Sequence, residues 1–126
     1  MQMPTPNPEI LSRKAGIVAR LQSILPKEAV ISAESEVRAY ECDALTAYKC
    51  PPLCAVLPTT TQEVAAALKV CHEMGVPVVP RGSGTSLAGG ALPTADCVIL
   101  GTARLNAVLE TNYDDRYIRV QSGRTN

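Results

Sequence analysis

Residues 53–80 constrain the fold most strongly, because they predict a strand, a helix and a second strand in immediate succession. Residues 53–58 are apolar and end at a proline, and residues 76–80 form another short apolar run. Helical periodicity fills the interval between them. A strand–helix–strand crossover places its two strands parallel in one sheet and is right-handed. The unit therefore predicts an α+β fold built on parallel strands, a βαβ unit with further strands.

The helix in this interval carries signals at both ends and along one face. Thr60 and Glu63 have the spacing of a capping box, in which the Thr60 hydroxyl accepts the Glu63 N–H and the carboxylate returns to the Thr60 N–H. Gly75 is the expected C-terminal residue, and Pro77 prevents continuation. The helical spacing predicts an inward face made of Val64, Ala67, Leu68, Cys71 and Met74.

A glycine-rich loop, residues 80–90, follows the second strand. Four of the chain's eight glycines fall within nine residues here. Glycines allow several backbone N–H groups to turn toward one point, which makes a concavity suited to a phosphate or pyrophosphate. Arg81 adds a positive charge, and Thr85 and Ser86 add hydroxyl donors. The loop also leaves the carboxyl end of a parallel strand, where open α/β sheets usually bind ligands. On residue types alone, a flexible turn between two strands is the alternative.

Two familiar nucleotide-binding loops are excluded. A P-loop requires a glycine followed by lysine, and the chain has no lysine after Lys69. A Rossmann loop needs three spaced glycines and opens a helix. Gly82 and Gly84 fit the first two positions, but Leu87 occupies the third, and the glycines and proline of residues 88–93 disfavour a helix start. We therefore expect a loop that holds phosphate mainly through its backbone.

Composition excludes several classes of protein. The formal net charge is zero, so nothing indicates nucleic acid or an anionic membrane surface as a partner. No apolar run reaches the roughly 20 residues of a membrane span. Residues 1–8 lack the features of a secretory signal and are expected to be a disordered lead. Because the chain has no Phe and no Trp, the core is expected to be aliphatic.

The cysteines and the histidine give no indication of a metal or catalytic site. Five scattered cysteines without an export signal indicate free thiols in a reducing cytoplasm. Cys50 and Cys54 are the only close pair, and a zinc site would also need Cys71 and His72, a spacing that matches no common zinc pattern. His72 is the only histidine, so neither a Ser-His-Asp nor a Cys-His arrangement can be assembled. We predict buried thiols, a solvated His72 and no metal.

The remaining segments predict shorter elements around the crossover. Residues 8–25 place their apolar side chains on one helical face and predict a single amphipathic docking helix that Pro26 stops. The other expected elements are strands at 29–32 and 97–100, a helical turn at 102–107, and an antiparallel hairpin made of 108–110 and 117–121 with its turn at 112–115. No closing helix follows the hairpin, so a strand edge and one sheet face would be bare. We therefore expect the sequence to be the first part of something longer.

Several motifs occur in a characteristic order: Tyr40-Glu41-Cys42-Asp43 with Ala47-Tyr48, the run from Val76 to Pro93 that includes the glycine loop, Ala103-Arg104, Val108-Leu109-Glu110, and Arg119-Val120-Gln121. In this order they resemble the FAD-containing subunits of bacterial glycolate oxidases. More broadly, the chain resembles the FAD-linked oxidases of the vanillyl-alcohol oxidase (p-cresol methylhydroxylase type) superfamily. The resemblance covers residues 40–126.

The resemblance implies a fold and a cofactor. Residues 39–126 would be the first subdomain of a p-cresol methylhydroxylase-type FAD-binding domain, and residues 1–38 its lead and docking helix. The second subdomain and the substrate domain would be absent. FAD would be bound non-covalently, since residues 80–90 contain neither His nor Cys. Its pyrophosphate would be cradled by Pro80, Arg81, Gly82, Ser83, Gly84, Thr85, Ser86, Gly89 and Gly90.

The resemblance also implies an activity that this chain does not complete. The flavin would take a hydride from the α-carbon of a 2-hydroxy acid such as glycolate, and the electrons would pass to an iron–sulfur partner subunit. The residues that bind and deprotonate the substrate would lie in the absent domain, so no catalytic residue is assigned and the chain is expected to be inactive alone. The location implied is the cytoplasm, with possible attachment to the inner membrane through partner subunits.

Departures from the family pattern are small, and alternatives remain. Ser83 and Ser86 stand where the family commonly has Ala or Gly, and Ser122 where it has Pro; none removes a ligand contact. D-lactate and 2-hydroxyglutarate dehydrogenases share the same loop, so it does not distinguish their substrates from glycolate. A non-catalytic module that pairs with a full-length flavoprotein subunit is an alternative from another class. A phosphate-binding domain of a different cofactor enzyme is a third.

Overall fold

A computed structural model of the chain describes residues 3–125. Two 3₁₀ turns, Lys27–Ala29 and Arg38–Tyr40, lie among its helices and strands. In chain order the elements are α1 (Pro8–Ser12), α2 (Lys14–Gln22), β1 (Val30–Ile31), α3 (Glu34–Val37), β2 (Cys54–Val56), α4 (Thr61–Met74), β3 (Val78–Arg81), β4 (Val98–Gly101), β5 (Val108–Asn112) and β6 (Tyr117–Val120). The α+β class is confirmed.

The larger sheet has the strand order β1-β2-β4-β3. β4 pairs in parallel with both β2 and β3, while β1 pairs antiparallel with β2. The two strands of the predicted crossover, β2 and β3, are therefore parallel as expected, but β4 lies between them. Because parallel strands end at the same edge of a sheet, the segments that leave β3 and β4 are neighbours.

The sheet is covered on both faces. Successive residues of a strand face opposite sides, and in β4 Val98 and Leu100 join the main core cluster while Ile99 joins a smaller one with Ala55. Tyr40 packs against the smaller cluster. The helices contribute these side chains to the main cluster: Ile10, Ile17, Leu21, Ala67, Val70 and Cys71. The aliphatic character expected from the composition is found in both clusters.

The N-terminal docking segment is two helices rather than the single helix predicted for residues 8–25. Its apolar face docks as expected, with Ile17 and Leu21 fully buried. Arg13 separates α1 from α2, with φ −96° and ψ 8°. Its Nε donates to the Glu9 carbonyl at 3.2 Å, and both terminal nitrogens donate to the Met74 carbonyl at 3.2 Å. The break places the Arg13 guanidinium at the C-terminal end of α4, whose last carbonyls lack helical partners.

Helix α4 begins and ends where the sequence predicted, with one difference in its cap. The Thr60 hydroxyl accepts the Glu63 N–H at 3.1 Å, and Gly75 ends the helix with φ 65°. The Glu63 carboxylate accepts the N–H and hydroxyl of Thr59, at 2.6 and 3.0 Å, and a hydrogen bond from the Thr60 backbone also helps to lower its pKa. The cap therefore extends one residue beyond the capping-box pattern.

The inward face of α4 was predicted correctly except at one position. Leu68 is 43% exposed, whereas Val70, which the prediction omitted, is buried. Residues along a helix are separated by about 100°. Measured from the centre of the four correctly predicted residues, Leu68 and Val70 each lie about 80° away, on opposite sides. Helical spacing alone does not choose between them, and the packing of α4 places Val70 in the larger core cluster.

We expect Glu63→Gln to lower stability at neutral pH but not in acid. Hydrogen bonds from Thr59, the backbone N–H first, hold the pKa of Glu63 below its ordinary value of 4.5. A depressed carboxylate pKa contributes stability that is present above the unfolded-state pKa and is lost as the pH falls through the folded-state pKa. Because this carboxylate is solvent-screened, the expected loss is about 0.5 kcal/mol.

Thermal unfolding at about pH 7 and about pH 2 measures this contribution. Glu36→Gln makes the same substitution at an exposed glutamate in the short helix α3 and is the control. A stability difference between Glu63→Gln and the unmodified chain that persisted at the lower pH would contradict the assignment.

The smaller sheet is the predicted antiparallel hairpin of β5 and β6. Gln121 ties it to the rest of the chain: its side chain accepts from Ala107 N–H at 2.9 Å and donates to the Thr59 carbonyl at 3.3 Å. The helical turn predicted for residues 102–107 is wrong, and a simple turn closed by Leu105 N–H to Thr102 carbonyl stands there. The Ala107 N–H is bonded to Gln121 and is not available for a helix.

Apolar side chains of the hairpin are exposed. Leu109 is 59% exposed and Ile118 57%, and Val108, Tyr117 and Val120 are also open to solvent. All four residues of β6 are exposed, so both faces of the hairpin are open to solvent. Among the helices of residues 3–125, none is long and apolar enough to cross a membrane.

Candidate functional site

The glycine loop leaves the carboxyl end of β3 and returns to β4 as irregular backbone. Gly84 and Gly89 have φ of 72° and 76°, in the left-handed region. Within residues 3–125, the N–H groups of residues 82–87 donate to no protein acceptor. Most of the loop is exposed. A row of backbone donors with no internal partner is what an anion-binding concavity requires.

Arg81 lies beneath this loop and not at its mouth. Its Nη1 donates to the Cys42 carbonyl at 2.7 Å and to the Ala91 carbonyl at 3.4 Å. The guanidinium lies 5.7 Å from the centre of the Tyr40 ring, within the range of a cation–π contact. A Cβ built on Gly84 would overlap the guanidinium. Arg81 therefore joins both ends of the loop to the segment that begins at Tyr40, and the loop backbone rests on it.

The segment around Asp43 supports the far end of the loop. Asp43 is buried, and its Oδ1 accepts the Leu45 N–H at 2.9 Å. Leu45 in turn approaches Gly89, with its Cδ2 4.0 Å from the position of a Cβ there. The sequence pattern at residues 40–45 carried no local signal for this role, because the contacts join residues far apart in the chain.

A cavity of about 460 Å³ lies beside the first part of the loop. It combines Gly82 and Ser83 with residues after β4 and after β6, among them Thr102, Asn106, Ser122 and Arg124. The other predicted cofactor-binding residues do not line this cavity: Pro80, Arg81, Gly84, Thr85, Ser86, Gly89 and Gly90. The sequence did not predict the lining residues that follow β4 and β6. The available signal was that each of these two segments directly follows a predicted strand.

The segment after β6 is fixed tightly against the turn after β4. Gly123 N–H donates to the Leu105 carbonyl at 2.8 Å. A Cβ on Gly123 would overlap the Thr102 carbonyl oxygen and would lie 2.7 Å from its carbon. The segment after β6 forms the third wall of the cavity, beside the glycine loop and the turn after β4. Its position depends on a backbone-to-backbone contact that only glycine permits.

The cysteines and the histidine lie away from this cavity. All five cysteines are free thiols, and Cys54, Cys71 and Cys97 are buried. Burial raises the pKa of Cys54 to about 12 and that of Cys71 to about 11, so both are protonated and unreactive near neutral pH. His72 is exposed on α4. No group of three or more His, Cys, Asp or Glu side chains within residues 3–125 is arranged to hold a metal ion.

The architecture defines a class: α+β domains that present a glycine loop at the carboxyl edge of a parallel sheet. A family model described as an FAD binding domain matches residues 52–126, and the chain belongs to this family. The resemblance inferred from the motifs is thereby confirmed, and with it FAD as the cofactor of the family.

Two curated relatives are similar to the chain over most of its length. The chain is 42% identical over 110 residues to the glycolate oxidase subunit GlcD of Escherichia coli strain K12, and the matched region covers 87% of this chain and 22% of that protein. It is 31% identical over 108 residues to a D-lactate dehydrogenase of Anaerostipes hadrus, which covers 85% of this chain and 22% of that protein. The chain thus spans about a fifth of the length of these relatives.

Solved structures show the same fold. The crystal structure of p-cresol methylhydroxylase with substrate bound matches with a TM-score of 0.79 and 21% identity, over 98% of this chain and 24% of that one. The p-cresol methylhydroxylase-type fold inferred from the sequence is therefore confirmed. The relatives are oxidoreductases of 2-hydroxy acids by name, and the first is named as a subunit.

Proposed function

We propose that this chain holds the pyrophosphate of FAD in a flavin-dependent 2-hydroxy acid oxidoreductase that oxidises glycolate to glyoxylate. The observation that carries the proposal is the run of unpaired backbone N–H groups at residues 82–87, in a chain of the FAD-binding family. Identity to a glycolate oxidase subunit over 87% of the chain supports glycolate as the substrate. The flavin, when bound, supplies the hydride-accepting chemistry.

Within the proposed site the residues have different tasks. The N–H groups of Gly82 to Ser86 donate to phosphate oxygens, and Gly89 and Gly90 let the loop close around them. Pro80 and Arg81 set the start of the loop, Arg81 through the contacts of its side chain beneath Gly84. Ser83 lines the cavity, and the Ser86 hydroxyl accepts the Ala88 N–H at 3.2 Å.

The rest of the catalytic machinery is proposed to lie outside this chain. We assign no catalytic residue among the 126, and we propose non-covalent FAD because residues 80–90 offer no His or Cys nucleophile. The proposed partners are the other subunits of a glycolate oxidase, including an iron–sulfur subunit that accepts the electrons. The proposed location is the cytoplasm, or the inner membrane surface through those partners.

The test is the visible absorption spectrum of the purified chain after incubation with FAD and desalting. A retained flavin band is expected, and it should be released into the supernatant when the protein is denatured. A colourless protein would overturn the claim that this chain holds FAD by itself and would mean that the pocket needs the absent second subdomain. A yellow denatured pellet would contradict non-covalent binding.

A further inference from the structure

We infer that Arg124, and not Arg81, supplies the positive charge of this phosphate site. The inference rests on the proposed function, since it assigns a ligand group to the same cavity. Arg81 is adjacent to the glycine loop in sequence, but its guanidinium is directed inward. Two carbonyls and the Tyr40 ring surround it, and the backbone of Gly84 lies over it.

Arg124 has the position that Arg81 lacks. Of the described residues that line the cavity, Arg124 is the charged one, and the cavity is also lined by Gly82 and Ser83 at the start of the loop. No carboxylate of residues 3–125 forms an ion pair with it. An exposed arginine that lines a cavity together with loop glycine and serine residues is suited to a diphosphate, because a guanidinium can bind phosphate oxygens in a bidentate manner.

The backbone holds Arg124 at this rim. Gln121 N–H donates to the Ala107 carbonyl at 2.9 Å, Gly123 N–H to Leu105 at 2.8 Å, and Arg124 N–H to Gln121 at 3.1 Å. These bonds form a turn directly after β6 and press Gly123 against the Thr102 carbonyl. Because the turn is fixed on both sides, the Arg124 backbone has a defined position beside the loop. Binding a phosphate there then costs only the freedom of the side chain and not that of the backbone.

The experiment compares three arginine variants of the full chain. Binding of FAD and of riboflavin, which lacks phosphate, is measured by isothermal titration at about 50 mM and about 500 mM salt. Arg124→Gln should weaken FAD binding about tenfold at low salt and less at high salt, because it removes a charge-assisted contact. Riboflavin binding should not change. Arg116→Gln, which removes an exposed arginine of the hairpin turn, is the matched control and should bind FAD like the unmodified chain.

The outcomes separate this inference from the proposed function. Arg124→Lys should recover part of the affinity as a point charge. Unchanged FAD affinity in Arg124→Gln would overturn the inference and leave the proposed function standing. Equal weakening of FAD and riboflavin would also overturn it, since the residue would then act on the fold and not on phosphate. Failure of the unmodified chain to bind FAD would overturn both.

Discussion

Gly84→Val should abolish FAD retention while the chain remains folded. Gly84 has φ 72°, a conformation that is strongly disfavoured for a β-branched residue and costs on the order of 1–3 kcal/mol. Its Cβ would also lie 2.5 Å from the Arg81 Cζ and 2.8 Å from Nε. Because the guanidinium is held by two carbonyls, we expect the strained backbone and the contact with Arg81 together to change the conformation of the loop that presents the N–H groups. Flavin absorbance after desalting measures the retention of FAD, and the far-ultraviolet circular dichroism spectrum shows whether the chain is folded.

Gly16→Ala is the control for this variant. Gly16 lies in α2, and a Cβ there meets nothing within 4 Å. The substitution should raise stability slightly, by about 0.5–1 kcal/mol, and leave flavin retention unchanged. Retention of flavin by Gly84→Val at the level of the unmodified chain would show that the loop backbone is not what holds the cofactor.

Local sequence signals predicted the elements that local interactions determine. The α4 cap at Thr60, its end at Gly75 and the β5–β6 hairpin each depend on residues within a few positions of one another. The glycine loop was located for the same reason, since its conformation is set mostly by the glycines themselves. The assignment of its residues to FAD remains a prediction that the binding experiments test.

Contacts between distant segments could not be predicted in this way. The Arg81 side chain bonds to Cys42, 39 positions earlier, and nothing in the loop sequence indicates that its cation is directed inward. At the break between α1 and α2, Arg13 donates to the carbonyl of Met74, 61 positions away, a contact that the local helical pattern does not reveal. The insertion of β4 between β2 and β3 likewise depends on a strand that follows the loop. These three features depend on tertiary contacts, which a local pattern does not show.

The turn after β6, which lines the cavity, is also held by a contact between distant segments. Gly123→Ala should lower the thermal stability and weaken FAD retention together. The new Cβ would overlap the Thr102 carbonyl oxygen and lie 3.0 Å from the Leu105 carbonyl oxygen. Both are backbone atoms held by hydrogen bonds, so the turn after β6 must move. Forcing extra volume into a tight contact costs about 1–3 kcal/mol, which corresponds to a fall of roughly 5–15 °C in the melting temperature for a domain of this size.

Gly90→Ala supplies the matched comparison for stability, because it makes the same substitution at a glycine with nothing within 4 Å of the new Cβ. Its melting temperature should equal that of the unmodified chain. If Gly123→Ala melts normally, the contact between Gly123 and Thr102 does not constrain the turn. If it melts early but binds FAD as the unmodified chain does, the segment after β6 stabilises the fold without forming the phosphate site. A joint loss is expected because one backbone contact both secures the hairpin and holds Arg124 beside Gly82 and Ser83.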